Sequence, residues 1–289
     1  MDIVVTHASA DFDALAAAMA ACKLYPGAVA VMTRGMARGV RDFATLHRDR
    51  FPWLTPKDFD QDAVRRLVIV DVRRAERLRE IPVLLARIER RDPTLEVHVW
   101  DHHPAAPDDV RADRVFVEPV GSATTLLVEA IRARGLPVDP VEATLFALGV
   151  HTDTGSLSYP TTSPRDAEAL AWLLGRGASS RVVRRFLTTP FSSPQRLALA
   201  MAIERVQERR ICGLRIAIAA IEPSTPVEGL DAVASELFHI ERPHALFLIA
   251  TAPSGRVSVV ARSRDGTLDV AAILAGMGGG GHPSAAALS

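Results

Sequence analysis

The sequence predicts an α/β protein in which a mainly parallel sheet is flanked by helices and is followed by a smaller α/β domain. Four short apolar runs rich in β-branched residues, typical of strands buried on both faces, lie at residues 2–6, 28–32, 67–71 and 95–100. Helical spacing of apolar residues occupies two of the intervals between these runs, at residues 11–25 and 82–90. Alternation of strand and helix is typical of an open, doubly wound sheet.

The rest of the chain indicates a second domain. Residues 122–210 are almost wholly helical in pattern, with a break near residues 188–194 that we take as the boundary between domains 1–190 and 191–289. Beyond a connecting helix at residues 193–210, we expect one helix near residues 228–240 and strands near residues 213–221, 244–251 and 256–263. We expect the two domains to face each other across a cleft.

Composition excludes several classes of protein. Lys plus Arg equals Asp plus Glu at 34 each, so any contact with nucleic acid needs a local basic patch rather than a global field. No run of residues reaches the roughly 18 apolar residues of a membrane helix. The first residues lack a basic region followed by an apolar stretch, so we do not expect a signal peptide. Cys22 and Cys212 lie far apart, which suits a reducing compartment and predicts two small buried side chains. We therefore expect a cytoplasmic protein without a membrane partner.

Polar residues follow the first predicted strand. His7, Asp11 and Asp13 fall within one strand-to-helix turn, where ligands bind in open α/β sheets. Asp11 alone could be a helix N-cap. Capping does not explain why His7 and Asp13 occur in the same turn, so these residues are candidate metal ligands.

Three further segments add carboxylates and imidazoles. Asp71 ends the third apolar run, where an ionised carboxylate needs a compensating partner such as a metal ion. Asp101, His102 and His103 end the fourth run, and Asp153 lies where a helical pattern breaks into a loop of small residues. Carboxylates mixed with imidazoles suit Mn²⁺ or Mg²⁺, and two ions would require a bridging carboxylate, for which we nominate Asp71.

The C-terminal region contains a candidate anion site. Arg262 and Ser263 end a predicted strand, and a guanidinium binds phosphate or carboxylate through two hydrogen bonds. Downstream, Gly279, Gly280 and Gly281 precede His282 in a glycine-rich segment whose backbone amides could approach an anion. A solvated strand end and a flexible linker are the alternatives for these two features.

Taken together, these motifs resemble those of the DHH superfamily of phosphoesterases with a DHHA1 C-terminal domain, along essentially the whole chain. The resemblance implies two metal sites that share a bridging aspartate: the first would be formed by His7, Asp11 and Asp71, and the second by Asp13, Asp71, His102 and Asp153. It also implies that His103 faces the scissile phosphate while Asp101 orients a histidine ring. Arg262, Ser263, the three glycines and His282 would hold the substrate.

Within the superfamily the chain is similar to nanoRNases that also dephosphorylate pAp. It fits better the DHH regions fused ahead of CBS and poly(A)-polymerase or tRNA nucleotidyltransferase modules, which share the stretch Asp101-His102-His103-Pro104 and the Gly-rich segment before His282. The implied activity is hydrolysis of short single-stranded RNA or DNA, pAp, or linear or cyclic dinucleotides by a metal-bridged hydroxide.

The alternative is an RNA-binding or regulatory module of a larger nucleotidyltransferase, with little catalysis. The chain stops at Ser289, seven residues past His282, so it could be a fragment with CBS and nucleotidyltransferase modules downstream. A homodimer is compatible with the sequence. Two arginine pairs, Arg73-Arg74 and Arg184-Arg185, could contact phosphates, but we interpret them as solvated helix charges.

Overall fold

A computed structural model describes residues 1–32, 35–187 and 191–288. The chain forms two compact units, residues 1–189 and 190–289. Among the helices in the described ranges, none is both long and apolar enough to span a bilayer.

The first unit contains a six-stranded, wholly parallel sheet. Its strands are β1 (Asp2–Val5), β2 (Val29–Val31), β3 (Trp53–Leu54), β4 (Arg66–Val70), β5 (Glu96–Asp101) and β6 (Arg114–Val117). They lie in the order β3-β2-β1-β4-β5-β6. The predicted α/β class with a parallel sheet is confirmed, and the short strands β3 and β6 are additions to the four strands predicted from sequence.

The described residues of this unit form seven α-helices that flank the sheet. They are α1 (Phe12–Leu24), α2 (Arg38–Leu46), α3 (Pro82–Glu89), α4 (Ala123–Ala133), α5 (Pro140–Asp153), α6 (Pro164–Gly175) and α7 (Ser180–Leu187). Two short 3₁₀ turns occur at Gln61–Ala63 and Ala75–Leu78. Gly149 lets α5 approach α1 and α4 closely, because a Cβ there would lie 2.6 Å from Thr124 Oγ1 and 2.7 Å from Ala16 Cβ.

Side-chain caps fix where several of these helices begin. The Asp11 carboxylate accepts a hydrogen bond from the Ala14 amide at 3.0 Å, and Ser122 Oγ accepts one from the Thr125 amide at 3.1 Å. Asp139 caps α5 in a capping box, with Pro140 as the first helical residue. These caps place the first turns of α1, α4 and α5 at defined positions around the sheet.

The direction of the strand order changes between β1 and β4, which are neighbours in the sheet. Sheets of this order bind ligands beyond the carboxyl ends of the strands at such a switch point. Residues that directly follow β1 and β4 therefore meet at one place. Because β5 lies beside β4, its last residues lie at the same edge.

The second unit has one mixed sheet in the order β11-β12-β10-β9-β8-β7. Its elements are α8 (Ser193–Arg205), β7 (Gln207–Ile211), β8 (Leu214–Ile221), α9 (Leu230–Glu241), β9 (Ala245–Thr251), β10 (Val257–Ser263), α10 (Val270–Ala275), β11 (Gly280–His282) and β12 (Ala285–Leu288). Only β8 and β9 pair in parallel among these strands.

Two sequence predictions need correction in this unit. The connecting helix expected over residues 193–210 ends at Arg205, and residues 207–211 form the exposed edge strand β7. Cys212 is exposed in the turn after β7, with a positive φ of 50°, whereas Cys22 in α1 is largely buried. A turn between two antiparallel strands is a surface position, so the prediction of two buried cysteines is wrong for Cys212.

Candidate metal centre

Asp71 lies at the centre of a group of carboxylates and imidazoles at the carboxyl edge of the first sheet. It directly follows β4, it is buried, and its φ is 57°, a left-handed conformation that aspartate tolerates better than most residues. Its Oδ2 lies 3.4 Å from His7 Nε2, and its Oδ1 lies 3.4 Å from His102 Nε2. The two oxygens of one carboxylate therefore face two different histidines.

The first ligand group consists of His7, Asp11 and Asp71, whose donor atoms lie within 4.8 Å of one another. His7 follows β1 by two residues and is almost fully buried. Asp11 is the N-cap of α1, so the capping interpretation and membership of this group both hold. Capping through one oxygen leaves the other available to a cation.

The second group consists of Asp13, Asp71, His102 and Asp153, again with donor atoms within 4.8 Å. His102 Nε2 lies 3.4 Å from Asp153 Oδ2 and 3.9 Å from Asp13 Oδ2. Asp153 is the last residue of α5, where a carboxylate opposes the negative end of the helix dipole. A nearby cation would compensate that unfavourable position.

Asp13 has a second role that the sequence did not reveal. Its Oδ2 accepts a hydrogen bond from the Ala123 amide at 2.7 Å, and its Oδ1 accepts one from the Thr124 amide at 3.0 Å. These amides are the first two of α4, and amides at a helix start lack a partner within the helix. Asp13 thus ties the start of α4 to the site while its remaining lone pairs face His102.

The tautomer of His102 is fixed by its surroundings. Its Nδ1 lies 3.2 Å from the Val120 carbonyl oxygen, which can only accept, so the proton is on Nδ1 in the neutral ring. Nε2 then carries a lone pair directed at carboxylates. Either a proton on Nε2 or a metal ion must compensate this arrangement, which is the one that metal-binding histidines adopt.

The unpartnered atoms of the site fit divalent metal ions. Buried atoms without a hydrogen-bond partner among the described residues include His7 Nδ1, Asp71 Oδ1 and His102 Nε2. Leaving buried polar groups unpaired is costly, and three such atoms in two neighbouring ligand groups indicate that a ligand completes the site. The donor set of oxygen with imidazole nitrogen matches hard or borderline divalent ions.

The electrostatics of the site also favour bound cations. Burial, followed by the carboxylates of Asp71 and Asp153, raises the pKa of Asp11 to about 6 and raises the pKa of Asp13 well above its usual value. Burial alone would lower the pKa of His102, but the neighbouring carboxylates outweigh it and raise that pKa to about 11. Without metal, protons must therefore neutralise part of the carboxylate charge.

Asp101 organises the third group of predicted residues. It is fully buried, and its Oδ1 lies 2.7 Å from His103 Nδ1 and accepts a hydrogen bond from the His102 amide at 2.9 Å. Asp101 thus contacts the ring of His103 rather than that of His102. The His103 side chain is 45% exposed, and its Nδ1 lies 4.0 Å from Asp71 Oδ1. Asp101 therefore orients the most accessible imidazole of the site.

Arg73 holds Asp101 in place, which the sequence analysis missed. Its Nε donates to Asp101 Oδ2 at 3.0 Å, its Nη2 donates to the His103 carbonyl oxygen at 2.5 Å, and its Nη1 lies 3.3 Å from Asp109. Its side chain is 11% exposed and lies in a loop, so the interpretation as a solvated helix charge is wrong for Arg73. The neighbouring Arg74 is 54% exposed. The contacts that distinguish Arg73 are to residues 28 or more positions away in the sequence.

The remaining predicted site residues lie in the second unit. Arg262 is partly buried against α9, where its guanidinium donates to Ser235 Oγ at 3.2 Å and to the Asp231 carbonyl oxygen at 3.4 Å. Ser263, the next residue of β10, is buried, and its Oγ accepts a hydrogen bond from the Leu268 amide at 3.0 Å. Successive residues of a strand point to opposite faces, so the structure does not bring these two side chains together.

The glycine-rich segment forms the edge strand β11 rather than a loop. A Cβ on Gly279 would lie 2.8 Å from the Ala287 carbonyl oxygen, and one on Gly281 would lie 2.6 Å from Ala286 Cα, whereas Gly280 faces open space. His282 ends the strand exposed, with Nδ1 2.9 Å from Ser284 Oγ. Close packing on β12 therefore accounts for Gly279 and Gly281.

Comparison with known proteins places these features in a family. No protein-family model matches the chain. An A-adding tRNA nucleotidyltransferase of Geobacter sulfurreducens is 35% identical over 288 residues, 99% of this chain and 32% of that protein. The cyclic-di-AMP phosphodiesterase PdeA of Listeria monocytogenes is 29% identical over 235 residues, 76% of this chain and 32% of that protein. The chain belongs to the DHH/DHHA1 superfamily.

Solved structures support the same fold. An exopolyphosphatase-related protein from Bacteroides fragilis aligns with a TM-score of 0.75 at 15% identity, covering 99% of this chain and 86% of that one. Relatives of this chain include proteins named as cyclic-di-AMP phosphodiesterases. The ligand groups around Asp71 could hold metal ions. The chain spans about a third of the length of the curated relatives described above.

Proposed function

We propose that this chain hydrolyses phosphate esters of short oligonucleotides or small nucleotides, such as nanoRNA, pAp, or linear or cyclic dinucleotides, with two divalent metal ions. The observation that carries the proposal is the geometry of Asp71, whose two oxygens face His7 and His102. A carboxylate in this position can bridge two ions, with Asp11 completing one group and Asp13 and Asp153 the other.

The ions that we propose are Mn²⁺, with Mg²⁺ as the alternative. Each group includes one imidazole, and Mg²⁺ prefers oxygen ligands more strongly than Mn²⁺ does. When bound, a pair of such ions supplies an activated water and neutralises charge on a phosphoryl oxygen.

His103 is the residue that we propose to contact the reacting phosphate. Because Asp101 holds its Nδ1, Nε2 is the ring nitrogen that remains free to donate a hydrogen bond or a proton to substrate. In the second unit, the guanidinium of Arg262 and the imidazole of His282 are proposed to bind the terminal phosphate of a short substrate.

Dinucleotide hydrolysis is supported by the relative named as a cyclic-di-AMP phosphodiesterase. The second candidate function is supported by the relative named as an A-adding tRNA nucleotidyltransferase, which aligns with 99% of this chain over only 32% of its own length. Under that candidate, the chain would bind RNA for downstream nucleotidyltransferase modules and hydrolyse little.

Asp71→Asn tests the first proposal directly. Asparagine tolerates the left-handed backbone of residue 71 but has only one oxygen, so it should fold and yet fail to bridge two ions. Replacing a residue that only orients a metal ligand typically lowers activity roughly 10- to 100-fold. We expect a larger fall than this in kcat/KM for Mn²⁺-dependent hydrolysis of pApA and pAp. Elemental analysis should find two Mn²⁺ ions per wild-type chain and fewer than two per Asp71→Asn chain.

The control is Asp62→Asn, which removes an exposed carboxylate before β4 and should change neither quantity. Full hydrolysis by Asp71→Asn would refute the two-metal assignment. A wild-type chain that binds two Mn²⁺ ions but hydrolyses no mono-, di- or oligonucleotide would favour the RNA-binding module instead.

A further inference from the structure

A groove of about 680 Å³ lies at the amino ends of β4, β5 and β6, on the opposite edge of the first sheet from the metal centre. Five arginines line it: Arg87 is buried and paired with Asp92, and four exposed ones are Arg65, Arg91, Arg111 and Arg114. We name the groove around these four exposed arginines the basic groove. Strand β5 runs from Glu96 at the groove to Asp101 at the metal centre. At about 3.3 Å per residue, the two sites lie roughly 16 Å apart, so the groove is a separate site.

The lining has five arginines against three carboxylates, those of Asp92, Glu96 and Asp113, so positive charge is in formal excess. Each carboxylate already has a partner within the protein: Asp92 with Arg87 Nε at 2.7 Å, Glu96 with Arg66 Nε at 2.8 Å, and Asp113 with the Val97 amide at 2.7 Å. The groove therefore retains a positive potential in a chain whose formal net charge is zero.

Three of the four guanidiniums are unengaged. Among the described residues, no hydrogen bond or ion pair involves the side chain of Arg65, Arg91 or Arg111, and Arg114 has only a 4.0 Å contact with Glu96. Arginine side chains that serve the fold usually have acceptors, as Arg73 and Arg87 do here. The guanidiniums of Arg65, Arg91 and Arg111 are thus free to bind an anion, and Arg114 has only a weak contact to give up.

The backbone at Arg91 determines which substitution can test the groove. The Asp92 amide donates to the Arg87 carbonyl at 3.0 Å, and the Arg91 amide donates to the Ile88 carbonyl at 3.1 Å, which together form a Schellman motif at the end of α3. Arg91 occupies its left-handed position with a φ of 54°, where glycine is the usual residue. An arginine there costs stability that glycine would not, so glycine can replace Arg91 and remove its guanidinium without disturbing the turn.

We propose that the basic groove binds the phosphate backbone of a nucleic-acid strand. Guanidiniums pair with phosphate oxygens through two parallel hydrogen bonds, and the groove has the volume of a ligand site. None of the described residues lining it is aromatic, so bases have no stacking surface and recognition rests on phosphates, independent of sequence. The site does not depend on hydrolysis at the metal centre.

Arg91→Gly tests the groove without damaging the fold, because glycine suits the left-handed position. The matched control is Arg242→Gly, which removes the same charge from a left-handed residue at the end of α9 in the second unit. The probe is a fluorescent 12-nucleotide 2′-O-methyl oligouridine with phosphorothioate linkages, chosen to resist hydrolysis. Its Kd is measured by anisotropy at several salt concentrations on the Mn²⁺-loaded chain.

For Arg91→Gly we expect the Kd at 0.1 M salt to rise at least about threefold and the slope of log Kd against log salt to fall by about 0.7, the value for one lost phosphate contact. Arg111→Gln should act similarly, while Arg242→Gly should match the wild type. The melting temperature and the Mn²⁺-dependent hydrolysis of pApA by Arg91→Gly should stay at wild-type level or above.

Two results would overturn the proposal. One is equal Kd and salt slope for Arg91→Gly and Arg242→Gly. The other is displacement of the probe by polyglutamate or by UMP at the concentrations at which unlabelled oligonucleotide displaces it, since the groove would then bind acidic peptides or single phosphates. Because binding is measured with a probe that resists hydrolysis, failure of the proposed catalytic function would leave this test intact.

Discussion

Replacing Arg73 by Met should weaken the first unit and the candidate site together, because it leaves the carboxylate of Asp101 buried without its cationic partner. Asp101 is 0% exposed and Arg73 11% exposed, and the Nε to Oδ2 distance is 3.0 Å. Breaking a buried pair from one side costs about 3–5 kcal/mol. At about 2–4 °C per kcal/mol for a unit of this size, the melting temperature should fall by about 6–20 °C.

The same change should reduce hydrolysis. Arg73 also donates to the His103 carbonyl. Its removal therefore leaves two groups less restrained: the His103 backbone and the Asp101 carboxylate that contacts the His103 ring. A loss of about 10- to 100-fold in kcat, with little change in KM, is expected of a residue that positions another. Lysine keeps the positive charge but lacks the planar, forked guanidinium, so Arg73→Lys should lose less stability and less activity than Arg73→Met.

Differential scanning calorimetry and steady-state kinetics measure both effects, and Arg74→Met is the matched control. Arg74 is 54% exposed, so its replacement should change stability by less than about 0.5 kcal/mol. In the double variant Arg73→Met with Asp101→Asn no unpaired charge remains, so stability should recover while activity does not. If Arg73→Met melts like Arg74→Met, the assignment of Arg73 as the partner that secures Asp101 is wrong.

Three further outcomes follow from other parts of the molecule. The pKa of Asp11 is raised to about 6 in the metal-free site, so this group contributes stability below pH 3.8 that is lost as the pH rises through 6. Urea unfolding of EDTA-treated protein should therefore show a free energy of unfolding that falls from pH 4.5 to 7. A flat profile, or an equal fall in Asp11→Asn, would contradict this. Burial raises the pKa of the Cys22 thiol to about 12 while Cys212 is exposed, so a disulfide reagent at pH 8 should titrate one thiol quickly rather than two. Gly281→Ala should lower the melting temperature of the second unit, because its Cβ would overlap β12. Gly280 faces open space, so Gly280→Ala should melt less than about 2 °C below wild type. Equal melting temperatures for the two variants would contradict the steric explanation.

Much of the first sheet and the ligand groups could be predicted because their signals are local. A buried parallel strand is a continuous apolar run, and a carboxylate such as Asp71 directly after it stands out. Parallel strands then bring their carboxyl ends to one edge, which places His7 and His102 near Asp71 although they are far apart in sequence.

The missed features have weak local signals or distant partners. Strand β6 is half exposed and β7 fully exposed, so neither shows an apolar run, and the charged residues of β7 continue the helical pattern of α8. The role of Arg73 depends on Asp101, and that of Asp13 on amides 110 residues further along the chain. No periodicity encodes such contacts, because tertiary packing alone creates them.

The hydrogen bonds from α4 to Asp13 make the start of this helix a natural reporter of the metal centre. A cation bound to the Asp13 carboxylate would draw electron density from the oxygens that accept from the Ala123 and Thr124 amides. Those two amide protons should therefore shift in an NMR spectrum as metal is titrated, and exchange with solvent at a different rate. Occupancy of a buried site could then be read from a segment that contributes no ligand of its own.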